Sequence, residues 1–141
     1  MRLAGLDLGE RRTGVALTDE LGMFAHARPA IHASNPEELV AAIARFVTAE
    51  GVTAIVAGTP LSLSGADSAQ TKRARVLVRS IRAATGLRVI EWDERLSTAQ
   101  AGRTIKGKKA RDSGALDSAA AALILQSALD AVRQGVLVLD A

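Results

Sequence analysis

The chain has no cysteine and no tyrosine, and only two phenylalanines and one tryptophan among its 141 residues. Without cysteine there are no disulfide staples, thiolate metal sites or cysteine nucleophiles, and the composition fits a reducing compartment. With so few aromatics, the core must be built from Ala, Leu, Val and Ile, and platforms for stacking splayed bases are scarce. The longest unbroken apolar run is the seven residues 119–125, far short of the roughly 18 that would suggest a membrane span. The N-terminus, MRLAGLDLGE, carries an acid at position 7 and lacks the long apolar segment of a secretion signal. The expectation is a cytoplasmic protein with no membrane association. Apolar residues make up 48% of the chain, enough for one sizeable core, so residues 1–141 are expected to form a single domain.

Charge is unevenly spread. The net charge is only +3, yet residues 69–111 hold 12 of the 18 Lys and Arg and 3 of the 15 acids. Such asymmetry suits a surface that meets a polyanion, although a solvated helix face and a polar loop would look the same.

Periodicity predicts the elements. Residues 3–8 (LAGLDL) read as a buried strand, 14–17 as its hairpin partner and 24–31 as a third strand. Asn35 is placed to cap a helix, with Pro36 at its first position, Glu37 and Glu38 at its positive end, and Gly51 to stop it. A strand is expected at 53–57 and a loop at 58–65. A second helix follows at 68–85, with Val76, Leu77 and Ile81 inward and Lys72, Arg73, Arg75, Arg79 and Arg82 largely outward. A strand at 87–92, a short helix at 98–105, a basic loop at 106–114 and an apolar helix at 116–133 complete the chain. Three strands followed by alternating helices and strands predict an α/β fold with a mixed sheet flanked by helices.

Three acidic positions stand out. Asp7 interrupts a buried strand, where an ionised carboxylate needs a cation, a metal or strong donors; alternatively it caps a turn with Gly9. Asp117 begins a stripe with Ala120, Ala121, Ile124 and Ala128 on the last helix, so it falls on the apolar face, although a first-turn acid also serves the helix dipole. The run Glu91-Trp92-Asp93-Glu94-Arg95 sits at a strand end, where α/β folds gather ligands. Asp93 and Glu94 would point to opposite sides of an extended backbone, so only one can join Asp7; the run also reads as a surface salt-bridge cluster. An all-carboxylate set suits Mg2+ or Mn2+ rather than zinc. His26 and His32 match no zinc motif.

Four stretches give the chain a family likeness: Asp7-Leu8-Gly9 through Arg12-Thr13-Gly14-Val15-Ala16, Gly58-Thr59-Pro60-Leu61, Asp93-Glu94-Arg95-Leu96-Ser97-Thr98, and Asp117-Ser118-Ala119-Ala120 with Ile124-Leu125. In this order they resemble the YqgF/RuvX family. The resemblance implies an RNase H-like fold, a five-stranded mixed sheet flanked by helices. It implies a catalytic and metal-binding acidic triad at Asp7, Glu94 and Asp117. It also implies a nuclease that hydrolyses nucleic-acid phosphodiester bonds in trimming the 5′ end of the 16S ribosomal RNA precursor. The loop 58–65 departs from the expected GLPLNMDG at Ser62, Leu63 and Ser64, which leaves the triad intact.

The nucleic acid, RNA or DNA, would be held by Arg11, Arg12, Lys72, Arg73, Arg95, Lys106, Lys108, Lys109 and Arg111 through backbone phosphates, by a monomer or homodimer. Alternatives are a Holliday-junction resolvase and a nucleic-acid-binding module that does not cut. An actin-like ATPase also opens on an Asp-Leu-Gly hairpin but requires a second related domain.

Overall fold

The computed structural model describes residues 1–9, 12–59, 69–93 and 115–135, the side chains of 115–117 excepted. Among these residues five strands and three helices follow in the order β1 (Leu3–Leu8), β2 (Arg12–Thr18), β3 (Ala25–His32), α1 (Pro36–Glu50), β4 (Ala54–Thr59), α2 (Ala69–Thr85), β5 (Arg88–Asp93) and α3 (Ala115–Arg133). The strands form one mixed sheet in the order β3-β2-β1-β4-β5. β1 pairs antiparallel with β2 and parallel with β4, and β4 pairs parallel with β5. β1 is therefore central, with paired strands on both sides.

Strand alternation divides the core in two. Ala4, Leu6, Leu8, Val15, Leu17, Ile55, Ala57 and Val89 pack against Leu39, Ile43 and Val47 of α1 and Leu77, Val78 and Ile81 of α2. On the other face Leu3, Ala16, Ala54 and Val56 meet Ala121, Ile124, Leu125, Ala128 and Leu129 of α3. Both faces of β1 and β4 are covered, which explains why these strands read as continuous apolar runs.

The ends of α1 are as its sequence predicts. The Asn35 side chain accepts from Glu38 N at 2.8 Å, Pro36 opens the helix, and Gly51 closes it in the left-handed region at φ 67°. Replacing Asn35 with Ala should cost about 1 kcal/mol, read as a lower midpoint in urea unfolding.

Two expectations need correction. Val76 is 53% exposed, while Ala74, Leu77, Val78 and Ile81 are buried. The buried stripe of α2 advances by three and four residues from Ala74, and Val76 falls between its rows. Gly58 and Thr59 belong to β4 rather than to a loop, because β5 extends to Asp93 and continues to pair with them. The expected helix at 98–105 and basic loop at 106–114 lie outside the described residues.

The turn between β2 and β3 is organised by Asp19, whose carboxylate accepts from Met23 N at 2.9 Å and Phe24 N at 3.2 Å. The Met23 amide is the main cause holding this carboxyl below its usual 3.8; the Phe24 and Gly22 amides and nearby His26 act in the same direction, against a smaller desolvation effect. A lowered folded-state pKa gives stability that is present above the unfolded value and lost as pH falls through the folded one. Amide exchange at Met23 and Phe24, corrected for intrinsic pH dependence, should therefore lose protection on acidification below the usual aspartate value.

Candidate active site

Asp7 lies near the C-terminal end of the central strand, half-buried. Its face is settled by Gly5, two residues earlier on the same side. A Cβ at Gly5 would lie 2.8 Å from both the Ala121 carbonyl oxygen and the Leu125 Cβ. Gly5 thus allows α3 to approach the sheet backbone, and Asp7 shares the α3 face.

The neighbours of Asp7 across the sheet are both glycines, Gly14 on β2 and Gly58 on β4. The residues directly paired with Asp7 on the two adjacent strands therefore carry no side chain. The next position in the row is Trp92 on β5, paired with Gly58. Trp92 packs against the α3-side core, and its indole N–H is buried without a partner among the described residues. On β3 the register shifts between Thr13 and Val15, opposite Gly14. Such irregularities gather beside functional sites, where they re-aim a strand.

α3 brings its N-terminal end to this row. Ala121 lies over Gly5, and Ser118 Oγ accepts from Val15 N at 3.4 Å. Val15 pairs with Leu6, the neighbour of Asp7. Residue 117 precedes Ser118, one turn before Ala121, so the backbone of Asp117 enters the helix at the Asp7 end of β1. The stripe expected to begin there continues through Ala121, Ile124 and Ala128, all buried against the sheet. Ala120, expected in the same stripe, is only half-buried.

Register also separates the acids at the end of β5. Val89 packs on the α1–α2 side, and Ile90 and Trp92 on the α3 side. Asp93 therefore belongs to the α1–α2 side, where it lines a cleft with Thr59, Thr71, Arg75 and Glu91. It is on the opposite face from Asp7. Glu94 lies just beyond the described residues, as do Arg11, Arg95, Lys106, Lys108, Lys109 and Arg111.

Among the described residues no three acidic or histidine side chains form a metal-binding group; Asp7 is the one member of the expected triad whose side chain is described. Of the expected phosphate-binding residues, Arg12 is exposed at the start of β2 and Lys72 is exposed on α2. Arg73 is half-buried and donates to Gly9 O at 3.1 Å, which ties α2 to the β1–β2 turn. Both histidines are exposed on β3.

A family model described as RuvX, Holliday junction resolvase, matches residues 1–131. The chain belongs to the RuvX family. It is 41% identical to a protein of Syntrophus aciditrophicus named "Putative pre-16S rRNA nuclease", over 100% of this chain and 96% of that one. A protein of the same name from Mesorhizobium japonicum is 39% identical over 91% of this chain and 79% of its own. Membership places the chain among nucleases that hydrolyse phosphodiester bonds. The fold is similar to that of Thermus thermophilus RuvC in complex with a Holliday junction substrate, with a TM-score of 0.65, 14% identity and 96% of both chains covered. This agrees with the expected RNase H-like architecture. Among the described residues no helix is long and apolar enough to cross a membrane.

The arrangement contains features that sequence reading missed. Gly14 and Gly58 were visible as parts of motifs, but their alignment with Asp7 is a property of strand register. Ser118 was likewise visible in a motif, but its hydrogen bond from Val15 N depends on how α3 packs on β2.

Proposed function

We propose that this RuvX-family nuclease is divalent-metal-dependent, works in the cytoplasm on the 5′ end of the 16S ribosomal RNA precursor, and uses Asp7, Glu94 and Asp117 as its acidic set. The observation that carries this reading is the position of Asp7: a carboxylate in the central strand, between two glycines, at the end of the sheet where α3 begins. The relatives named for pre-16S rRNA support the choice of substrate.

The residues fit a hard cation. Asp7 offers carboxylate oxygens, its directly paired neighbours are both glycines, and the chain has no cysteine to favour a softer metal. Asp7, Glu94 and Asp117 would hold Mg2+ or Mn2+. Bound there, the metal would polarise the phosphodiester and favour formation of the nucleophile. Asp7 is fixed by pairing of its strand on both sides, so its carboxylate is placed without a mobile loop. Arg95 would orient the phosphate or brace Glu94. Lys72, Arg73, Arg11, Arg12 and the basic residues Lys106, Lys108, Lys109 and Arg111 would hold the strand by its phosphates. The family description supports a second substrate, branched DNA.

Glu94→Gln and Asp117→Asn should each lower Mn2+-dependent cleavage of labelled RNA by about 100-fold or more, since even residues behind a metal ligand carry 10–100-fold. Combining either with Asp7→Asn should add little, because groups that act as a unit are non-additive. Full activity in a folded single variant would remove that residue from the set. Charge reversal at Lys108 and Lys109 should weaken RNA binding and lower the log–log salt slope by roughly 0.7 per lost phosphate contact. An unchanged slope would make those lysines bystanders.

A further inference from the structure

A second feature lies at the same end of the sheet as Asp7 but on its opposite face. A cavity of about 230 Å3 is lined by Gly9, Thr13, Ser34, Asn35 and Arg73, together with four apolar residues from the end of β3, the segment after it and the start of α1. It is smaller than the roughly 300–1,000 Å3 of pockets that take drug-sized ligands, so it suits a small group.

Thr13 is the informative residue. It shares its face of β2 with Val15 and Leu17, which pack in the α1–α2 core. It is 1% exposed, lines the cavity, and its hydroxyl has no hydrogen-bond partner among the described residues. A buried hydroxyl without a partner is a cost to the fold, which a polar group entering the cavity would offset.

Beside its apolar wall the cavity has a cation and backbone donors. Arg73 Nη1 is held at the mouth by its bond to Gly9 O. The 15-residue helix α1 turns its positive end toward the cavity. Amides at this end already meet side-chain oxygens: Ser34 N donates to the Glu38 carboxylate at 3.1 Å, and Glu38 N donates to the amide oxygen Asn35 Oδ1. The exposed carboxylates of Glu37 and Glu38 flank this end, so an incoming anion must compete with Glu38 for the Ser34 amide.

We propose that this cavity is a phosphate subsite, which takes one phosphate group of a nucleic-acid strand. Thr13 supplies the buried hydroxyl donor, Arg73 the charge, and the α1 N-terminus the amide dipoles. The proposal rests on the nuclease reading for its ligand, but not for the binding itself. A terminal monoester and a backbone diester share the chemistry, and the substrate arms below distinguish them.

The test uses the full chain in EDTA. Inorganic phosphate is titrated against chloride while backbone amides are followed by NMR, in wild type, Thr13→Val and Arg73→Gln. Phosphate should shift the amides of Thr13, Ser34 and Glu37, with affinity falling at least about fivefold in both variants. Thr13→Val should keep or raise the melting temperature, because the hydroxyl it removes has no partner among the described residues. RNA strands carrying a 5′-phosphate or a 5′-hydroxyl are then compared. A preference for the phosphorylated end that disappears in both variants assigns a terminal phosphate; equal binding weakened by both variants assigns a backbone phosphate. Phosphate shifts that are absent, scattered over surface lysines, or unchanged by the variants would overturn the subsite. Cleavage without phosphate binding removes the subsite alone, and phosphate binding without cleavage removes the metal-dependent nuclease reading alone.

Discussion

Replacing Asp7 with Asn is expected to reduce metal-dependent cleavage by about 100-fold or more while the protein stays folded. The substitution preserves size and shape but removes one negative charge from the end of the central strand. Asn cannot match a carboxylate as a ligand for a hard cation. Binding of RNA in EDTA should hold or improve, since a half-buried charge that repels phosphate has gone. The melting temperature should be unchanged or higher, as acids gathered for function repel one another when no cation is present. If Asp7 served only to cap the turn at Gly9, Asn would do almost as well and activity would be nearly intact. Turnover in Mn2+, affinity in EDTA and thermal midpoint together separate the two roles.

The second large effect is on stability. Gly5→Val should lower the melting temperature by roughly 3–12 °C, equivalent to about 1–3 kcal/mol of overpacking. The first added carbon would already sit 2.8 Å from the Ala121 carbonyl oxygen and the Leu125 Cβ. The first of these is helix backbone, so α3 must move as a body rather than a side chain turning aside. Since α3 also carries Asp117, the displacement should cost cleavage beyond what the lost stability explains. Calorimetry beside single-turnover cleavage, at a temperature where both proteins are folded, checks both parts. A wild-type melting temperature would mean that α3 does not approach β1 this closely.

The elements that the sequence predicts well are those whose signals are local. α1 has a capping residue, an N-terminal proline and a stop glycine, and its bounds agree with expectation to the residue or nearly so. β1 stands out because a strand covered on both faces is apolar throughout. Val76 misled because apolar character alone does not say which side of a helix is buried; the stripe through Ala74, Leu77, Val78 and Ile81 decides it. Gly58 and Thr59 looked like loop because glycine and the following Thr-Pro are turn-like, yet pairing with Trp92 and Asp93 keeps them in the sheet.

The candidate site divides along the same line. Asp7 could be chosen from sequence because a charge in a buried strand violates a local rule. Asp93 and Glu94 could not be separated by their neighbours, since alternation says only that they diverge. Register places Asp93 on the α1–α2 side. The pairing of Asp7 with Gly14 and Gly58, 7 and 51 residues away, and the burial of the Thr13 hydroxyl depend on strands meeting in one register, which no local pattern encodes.

The most direct test of carboxylate-dependent phosphodiester hydrolysis is one cleavage assay on three labelled substrates: single-stranded RNA spanning the 5′ end of the 16S precursor, single-stranded DNA and a four-way junction. Each is incubated with wild-type protein and with Asp7→Asn, in Mn2+, Mg2+ or EDTA. The expected result is cleavage of the RNA by wild type with metal, none in EDTA, and little by Asp7→Asn under any condition. RNA left intact in both metals, or cut equally well in EDTA or by Asp7→Asn, would contradict it.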